Sequence, residues 1–320
     1  MKIRALMSVP FNQHDITWLK SSLQAAVELE FATIPPYLCA LWSIKDQSGE
    51  VYGRIQKIVL QEMLHMGSAC NMLTTIGGTP SINTPSAVPK YPGPLPGGVR
   101  PQLTVALEGL SKPVVADVFM EIEYPEHGPV ALALGLTYPT IGAFYDAILA
   151  AFRQLPPDSI TGARQLTASG VGLTKITTLA DAERAILQIR EQGEGTAQSP
   201  LAADFGGDSA HYYKFAEIYH GQTLVQAADG TWDYKGTPVP FPDVFPMAKA
   251  PAGGYAESLE FDRLFTAMLG RLQDAWSNGD QSQLKNGINA MWSLGDAARS
   301  LMQKPLPDGT GNFGPCFRLV

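Results

Sequence analysis

The chain has 320 residues, 45% of them hydrophobic and 17% charged, and carries a formal net charge of −7. That balance fits a folded chain with a sizeable core and excludes disorder as its ground state. Its lysines and arginines form no stripe, so nucleic acid is not an expected partner. No run of about 18 uninterrupted apolar residues is present, so no membrane span is expected.

In chain order, the segment before Ile16 has a short apolar patch broken by Pro10 and lacks the hydrophobic core of a signal peptide. Asp15 is placed to cap a first long helix over roughly residues 16–44. On it, Glu30, Ile34, Tyr37 and Leu41 share one face, while Glu28 lies away from that face. Pro35-Pro36 removes two backbone donors and predicts a kink. Glu30 has two readings here: a surface acid on a bent helix, or a ligand beside displaced backbone. A second helix is expected from about Glu50 to Ile76, ended by Gly77-Gly78. Its apolar side carries Ile55, Ile58, Glu62, His65, Ala69 and Ile76. A carboxylate and an imidazole facing a core are costly unless compensated. Glu at i and His at i+3 on an inward face is the half-site with which helical carboxylate bundles hold iron or manganese. The alternative is a satisfied polar pair, because this spacing also recurs by chance.

The Pro- and Gly-rich stretch from Tyr91 to Gly98 reads as a long irregular connection, followed by a short strand at Thr104–Leu107 and a helix from Ser111 to Ile122. Glu123 and Glu126 could line a site but are expected to be surface carboxylates, and His127 a loop residue. A helix is expected over 141–152, a loop or short strand over 161–178, and a helix over 182–192. Glu194 then stands between Gly193 and Gly195, which suits either a ligand at a helix break or an ordinary helix end.

The next helix, about 209–219, offers two acid–histidine pairs. Phe215, Ile218, Tyr212 and Tyr219 define its apolar side. Steps of about 100° put Asp208 and His211 within about 60° of that side, and Glu217 and His220 beyond about 120°. Asp208 and His211 are therefore the inward pair, although Asp208 also stands where a helix N-cap would. A second loop-rich stretch spans 230–254, and two helices, 259–276 and 281–302, close the chain. Residues 1–225 are expected to form the metal-binding unit and 226–320 an extension packed on it. Cys39, Cys70 and Cys316 form no C-x-x-C pair, and Cys39 and Cys70, in apolar helical runs, read as buried thiols of a reducing, cytoplasmic compartment.

Several strings carry a resemblance. They are Leu29-Glu30 with Ala32-Thr33-Ile34-Pro35-Pro36-Tyr37-Leu38, Glu62-Met63-Leu64-His65 with Asn71, and Tyr91-Pro92-Gly93-Pro94-Leu95-Pro96. Further along come Ile122-Glu123-Tyr124-Pro125-Glu126, Thr140-Ile141-Gly142 with Phe144-Tyr145, Gln192-Gly193-Glu194-Gly195, and His211-Tyr212-Tyr213 with Phe215. Phe261-Asp262-Arg263-Leu264 and Gly314-Pro315 extend the match to the C-terminal helices. On them the chain resembles the ferritin-like domain family typified by iminophenyl-pyruvate dimer synthase, an enzyme of bisindole pigment pathways. The resemblance implies an all-α fold: a ferritin-like four-helix bundle with long loops and additional C-terminal helices.

With the phasing above, it implies a metal site of Glu30, Glu62, His65, Glu194, Asp208 and His211. That inventory suits two iron ions, with manganese or zinc as alternatives. Tyr37 is the expected catalytic neighbour of that site. The implied activity is a non-haem iron oxidoreductase that acts on a small organic, amino-acid-derived substrate with dioxygen or peroxide; a homo-oligomer is compatible with it. A binding scaffold with a decayed site, or metal storage and redox protection, are the alternatives. The chain departs from the family at Ala143, where an acid is common. Ile141, Phe144, Tyr145, Ile148 and Phe152 set the inward face and put position 143 nearly opposite, so a helix cap rather than a ligand is the expected loss.

Overall fold

The computed structural model describes residues 3–125, 141–196 and 199–320. A short helix α1 (Ile3–Met7) leads into α2 (Ile16–Ser43), whose N-terminus is capped as expected: the Asp15 side chain accepts from the Trp18 N–H at 2.8 Å. The helix α2 runs on through Pro35 and Pro36. Pro36 cannot donate to the carbonyl of Ala32, and the Tyr91 hydroxyl takes the vacant place, donating to that oxygen at 2.7 Å. The prolines thus couple α2 to the irregular connection instead of ending the helix.

α3 (Glu50–Thr75) returns along α2 and packs against it, burying Ile55, Ile58, Glu62, His65 and Ala69 as the periodicity requires. The expected strand at 104–107 is reduced to one bridge between Gly93 and Val105. Ser111 caps α4 (112–122), whose middle, Val115–Phe119, is wound as a π-helix. That wider winding directs Phe119 into an aromatic contact with Tyr37 of α2, ring centroids 4.8 Å apart. Phe215 completes the trio at 5.0 Å from each ring.

α5 (Ile141–Gln154) packs on α6 (Leu179–Glu194) and on α2. A capping box between Thr178 and Asp181 starts α6. α7 (His211–His220) then crosses α3, α4 and α6.

The purely helical expectation is corrected after α7. Residues Gln222–Gln226 (β1) and Trp232–Pro238 (β2) pair as an antiparallel two-stranded sheet. Asp229-Gly230 supplies the turn, with Gly230 at φ 86°. α8 (Leu259–Asn278) and α9 (Gln281–Met302) form the closing hairpin. It is tied to α3 where Trp276 Nε1–H donates to Asn71 Oδ1 at 3.0 Å. The three cysteines are buried free thiols. Among the described residues no helix is long and apolar enough to cross a membrane.

Candidate metal centre

Five buried side chains from four segments converge between these helices. They are Glu30 of α2, Glu62 and His65 of α3, Glu123 just past α4, and His211, the first residue of α7. They form two overlapping groups, Glu30–Glu62–His65 and Glu62–Glu123–His211; within each, one ligand-capable atom per residue lies within 4.8 Å of the others. Glu62 belongs to both groups. The rings of His65 and His211 lie nearly parallel, centroids 5.6 Å apart.

The donor atoms are presented in a consistent way. Each carboxylate has one oxygen held by a hydroxyl: Tyr145 donates to Glu30 Oε1, Thr33 to Glu62 Oε2 at 2.7 Å, and Tyr37 to Glu123 Oε1 at 2.6 Å. The other oxygen of each faces the histidines. Glu30 Oε2 and Glu62 Oε1 lie 3.6 and 3.7 Å from His65 Nδ1, and Glu123 Oε2 lies 3.6 Å from His211 Nδ1. Each imidazole is held at Nε2 by a glutamine oxygen, Gln192 for His65 at 2.9 Å and Gln61 for His211 at 3.1 Å. Nδ1 is thereby turned into the shared space. His211 Nδ1 is 2.8 Å from Glu62 Oε1 without hydrogen-bond geometry between them.

Burial raises the pKa of Glu62, and the charge of Glu123 adds to it against the pull of both histidines. Burial would depress His65, but Glu30 and Glu62 outweigh it and raise it. His211 is likewise opposed by burial, yet Glu123 and Glu62 bring it up to about 9. Tyr37 and Tyr145 are pushed well up by burial and then by the neighbouring carboxylates, so both stay protonated as donors. Three carboxylates buried this closely are costly unless protonated or paired with cations.

A cavity of about 30 Å³ opens beside them. Its polar lining is Glu30, Thr33, Glu62, His65, Glu123, Arg190 and Glu194, and its apolar wall is Leu29, Ile122, Ile141 and Ile189.

The sequence-predicted residues divide. Glu30, Glu62, His65 and His211 are brought together, and Tyr37 lies against them through Glu123. Glu194 lines the cavity at the end of α6, and its Oε1 accepts from the Gly142 N–H at 3.1 Å. Asp208 lies outside both groups, with its side chain 38% exposed, paired to Lys57 and 3.7 Å from Lys214. Partial burial would raise its pKa, but the two lysines outweigh that and lower it. It is no cap either, since α7 starts after Ala210. Helical phasing does not reach it because residue 208 precedes the helix.

The expectation that Glu123 is a surface carboxylate is corrected: it is 7% exposed and central. Its signal was its position four residues after Phe119 and one after Ile122, on the buried side of α4. Glu217, expected to face outward, is buried, ion-paired to Arg54 and accepting from the Leu224 N–H at 2.8 Å. His220 is exposed and stacks on Tyr234 at 4.3 Å. Ala143 is half-buried and does not line the cavity. Its prospective cap partner Thr140, with Glu126 and His127, lies outside the described residues.

A family model described as Ferritin-like matches residues 23–220, which covers most of α2 through α7. Among solved structures, a ferritin-like protein from Caulobacter vibrioides matches with a TM-score of 0.64 and 22% identity, over 94% of this chain and 97% of that one. At that identity the likeness speaks for the fold alone. No curated protein matches the chain.

Proposed function

Because the chain belongs to the ferritin-like family, we propose that the buried Glu–His cluster is a dinuclear metal centre, iron its favoured occupant, serving oxidative chemistry on a small organic molecule. The carrying observation is the uniform presentation of donors: one atom of each residue is held by a neutral neighbour, and the other is turned into the shared space. Glu30, Glu62 and His65 would hold one ion and Glu62, Glu123 and His211 the other, with Glu62 bridging. Glu194 stands ready at the cavity as a further carboxylate.

Oxygen and imidazole donors suit iron, manganese or zinc over copper(I). A bound iron pair would supply the electrons for reduction of dioxygen or peroxide. Leu29, Ile122, Ile141 and Ile189 give the adjoining cavity an apolar wall for an organic substrate, and Tyr37 and Tyr145 keep protons on hand at the carboxylates. The resemblance to the iminophenyl-pyruvate dimer synthase family supports an oxidoreductase on an amino-acid-derived substrate, housed in a four-helix bundle of residues 1–225 with 226–320 as its extension. Buried free thiols support a reducing compartment such as the cytoplasm.

Anaerobic titration with iron(II), followed by metal analysis, tests this. About two equivalents per chain, with oxygen consumed on exposure to air, is expected. Less than about a tenth of an equivalent sinks the proposal.

Uptake should also depend on pH with a defined sign. With His211 raised to about 9, its ring is charged at neutral pH in metal-free protein, and a metal at Nδ1 must expel a proton. Apparent affinity at the His211 position should rise about tenfold per pH unit toward pH 9 and then level off. Calorimetry in buffers of different ionisation enthalpy should find about one proton released at this position at pH 7. Uptake independent of pH between 7 and 9 contradicts the assignment.

A further inference from the structure

We infer that Lys214 is a positioning residue which, acting through Gln61, fixes the ring of His211 with its Nδ1 turned into the metal centre. The inference rests on the metal reading above. Lys214 lies on α7, one turn beyond His211, and its side chain is 7% exposed. Its Nζ donates to Gln61 Oε1 at 3.3 Å, and His211 Nε2 lies 3.1 Å from the same oxygen.

An ammonium has donors and no acceptor. It therefore requires the oxygen of the Gln61 amide, not the NH₂, to face it. The shared oxygen then accepts from His211 Nε2–H, so a metal meets the ring at Nδ1 and displaces the proton there. Without the ammonium, the amide can turn over and set its NH₂ against the Nε2–H that a ring ligating through Nδ1 must carry. Asp208 Oδ2, 3.7 Å from Nζ and itself paired to Lys57, anchors Lys214 from the far side. Asp208 thus bears on the centre through three intermediaries rather than as a ligand.

The other half of the centre is built differently. His65 Nε2 meets Gln192 Oε1 at 2.9 Å, and among the described residues no cation is hydrogen-bonded to Gln192. The lock belongs to His211, so its loss should separate the two metal positions.

Cobalt(II) titration, read by visible absorption and calorimetry, is the test, on the full chain with Lys214→Met, and with Lys214→Met combined with Gln61→Glu. Methionine keeps the length and suits the burial. Lys214→Met should weaken one of two binding steps about tenfold and leave the other within about twofold. Gln61→Glu in that background should restore the weakened step to within about threefold of wild type, because a carboxylate only accepts and needs no orienting cation. A general packing defect would not be rescued that way. Two unchanged steps in Lys214→Met, or no rescue in a double variant whose circular dichroism is native, overturns the inference. Wild-type protein that takes up no cobalt overturns the metal reading by itself. The relay is then decided by ¹⁵N NMR of the metal-free protein at pH 7, where Lys214 keeps its proton. Slow solvent exchange of the His211 Nε2–H in wild type that becomes faster in Lys214→Met supports it, and identical exchange overturns it.

Discussion

Glu62→Gln is expected to abolish uptake of both metal ions, whereas Glu30→Gln and Glu123→Gln should each abolish one. The difference follows from membership: Glu62 is common to both groups, and Glu30 and Glu123 each belong to one. The amide is nearly isosteric, so the consequence is chemical. Thr33 faces Glu62 Oε2 at 2.7 Å and can meet either end of the new amide, its hydroxyl having the carbonyl of Glu30 as a second acceptor at 2.8 Å. With the amide oxygen toward Thr33, the NH₂ stands where Oε1 stood, 2.8 Å from His211 Nδ1, and offers a metal no lone pair. The change thereby removes a ligand common to both positions.

Stability gives a second readout. A ligand at 100 times its dissociation constant stabilises the fold by about 2.7 kcal/mol per site, and Glu62→Gln should lose that gain at both sites. Without metal the variant should stay close to wild type. The relief of a charge whose pKa is raised by burial opposes the loss of a counter-charge for His211. Metal analysis beside thermal melts with and without iron(II) checks both statements. Retention of one full equivalent by Glu62→Gln would rule out a bridging role.

Where local periodicity governs, the sequence was readable. Glu62 and His65 stand in the middle of a long regular helix, so their inward direction follows from spacing, and Glu30 follows from the same rule on α2. The phasing reaches His211, which opens α7 and is buried, but not Asp208, because a 100° step has no meaning before the first helical residue. Glu123 escaped because it stands one residue past the end of α4 at Ile122, beside Tyr124-Pro125, which reads as loop. The ring of fixing residues, Tyr145, Gln192 and Gln61 among them, depends on contacts between distant segments that no spacing encodes. The hairpin was hidden by the glycines and prolines around it, although Asp229-Gly230 between β-rich runs is a turn signal.

The same distinction predicts the behaviour of the literal E-x-x-H at Glu217 and His220. Its spacing equals that of Glu62 and His65, yet its surroundings assign it to stability. Glu217 faces Arg54 of α3, with side chains 4% and 21% exposed, and its Oε1 accepts from the first strand of the hairpin at Leu224. Glu217→Ala removes the partner of a largely buried guanidinium and strands a backbone donor. Breaking such pairs costs about 3–5 kcal/mol. The lower end, about 3 kcal/mol, is expected here, because Arg54 keeps Glu50 at 2.6 Å and retains some access to solvent. Glu217→Gln should cost less, since an amide oxygen still accepts from Leu224. His220→Ala should cost little, because the ring is exposed. None of the three should change the iron stoichiometry of the folded protein. Urea unfolding midpoints and metal analysis on the same samples decide the matter. If Glu217→Ala lost an equivalent of metal while keeping its midpoint, the carboxylate would be a ligand and the ion pair with Arg54 incidental. With the opposite pattern, two identical motifs in one chain are separated entirely by what the tertiary fold sets opposite them: carboxylates and a second imidazole for one, a guanidinium for the other.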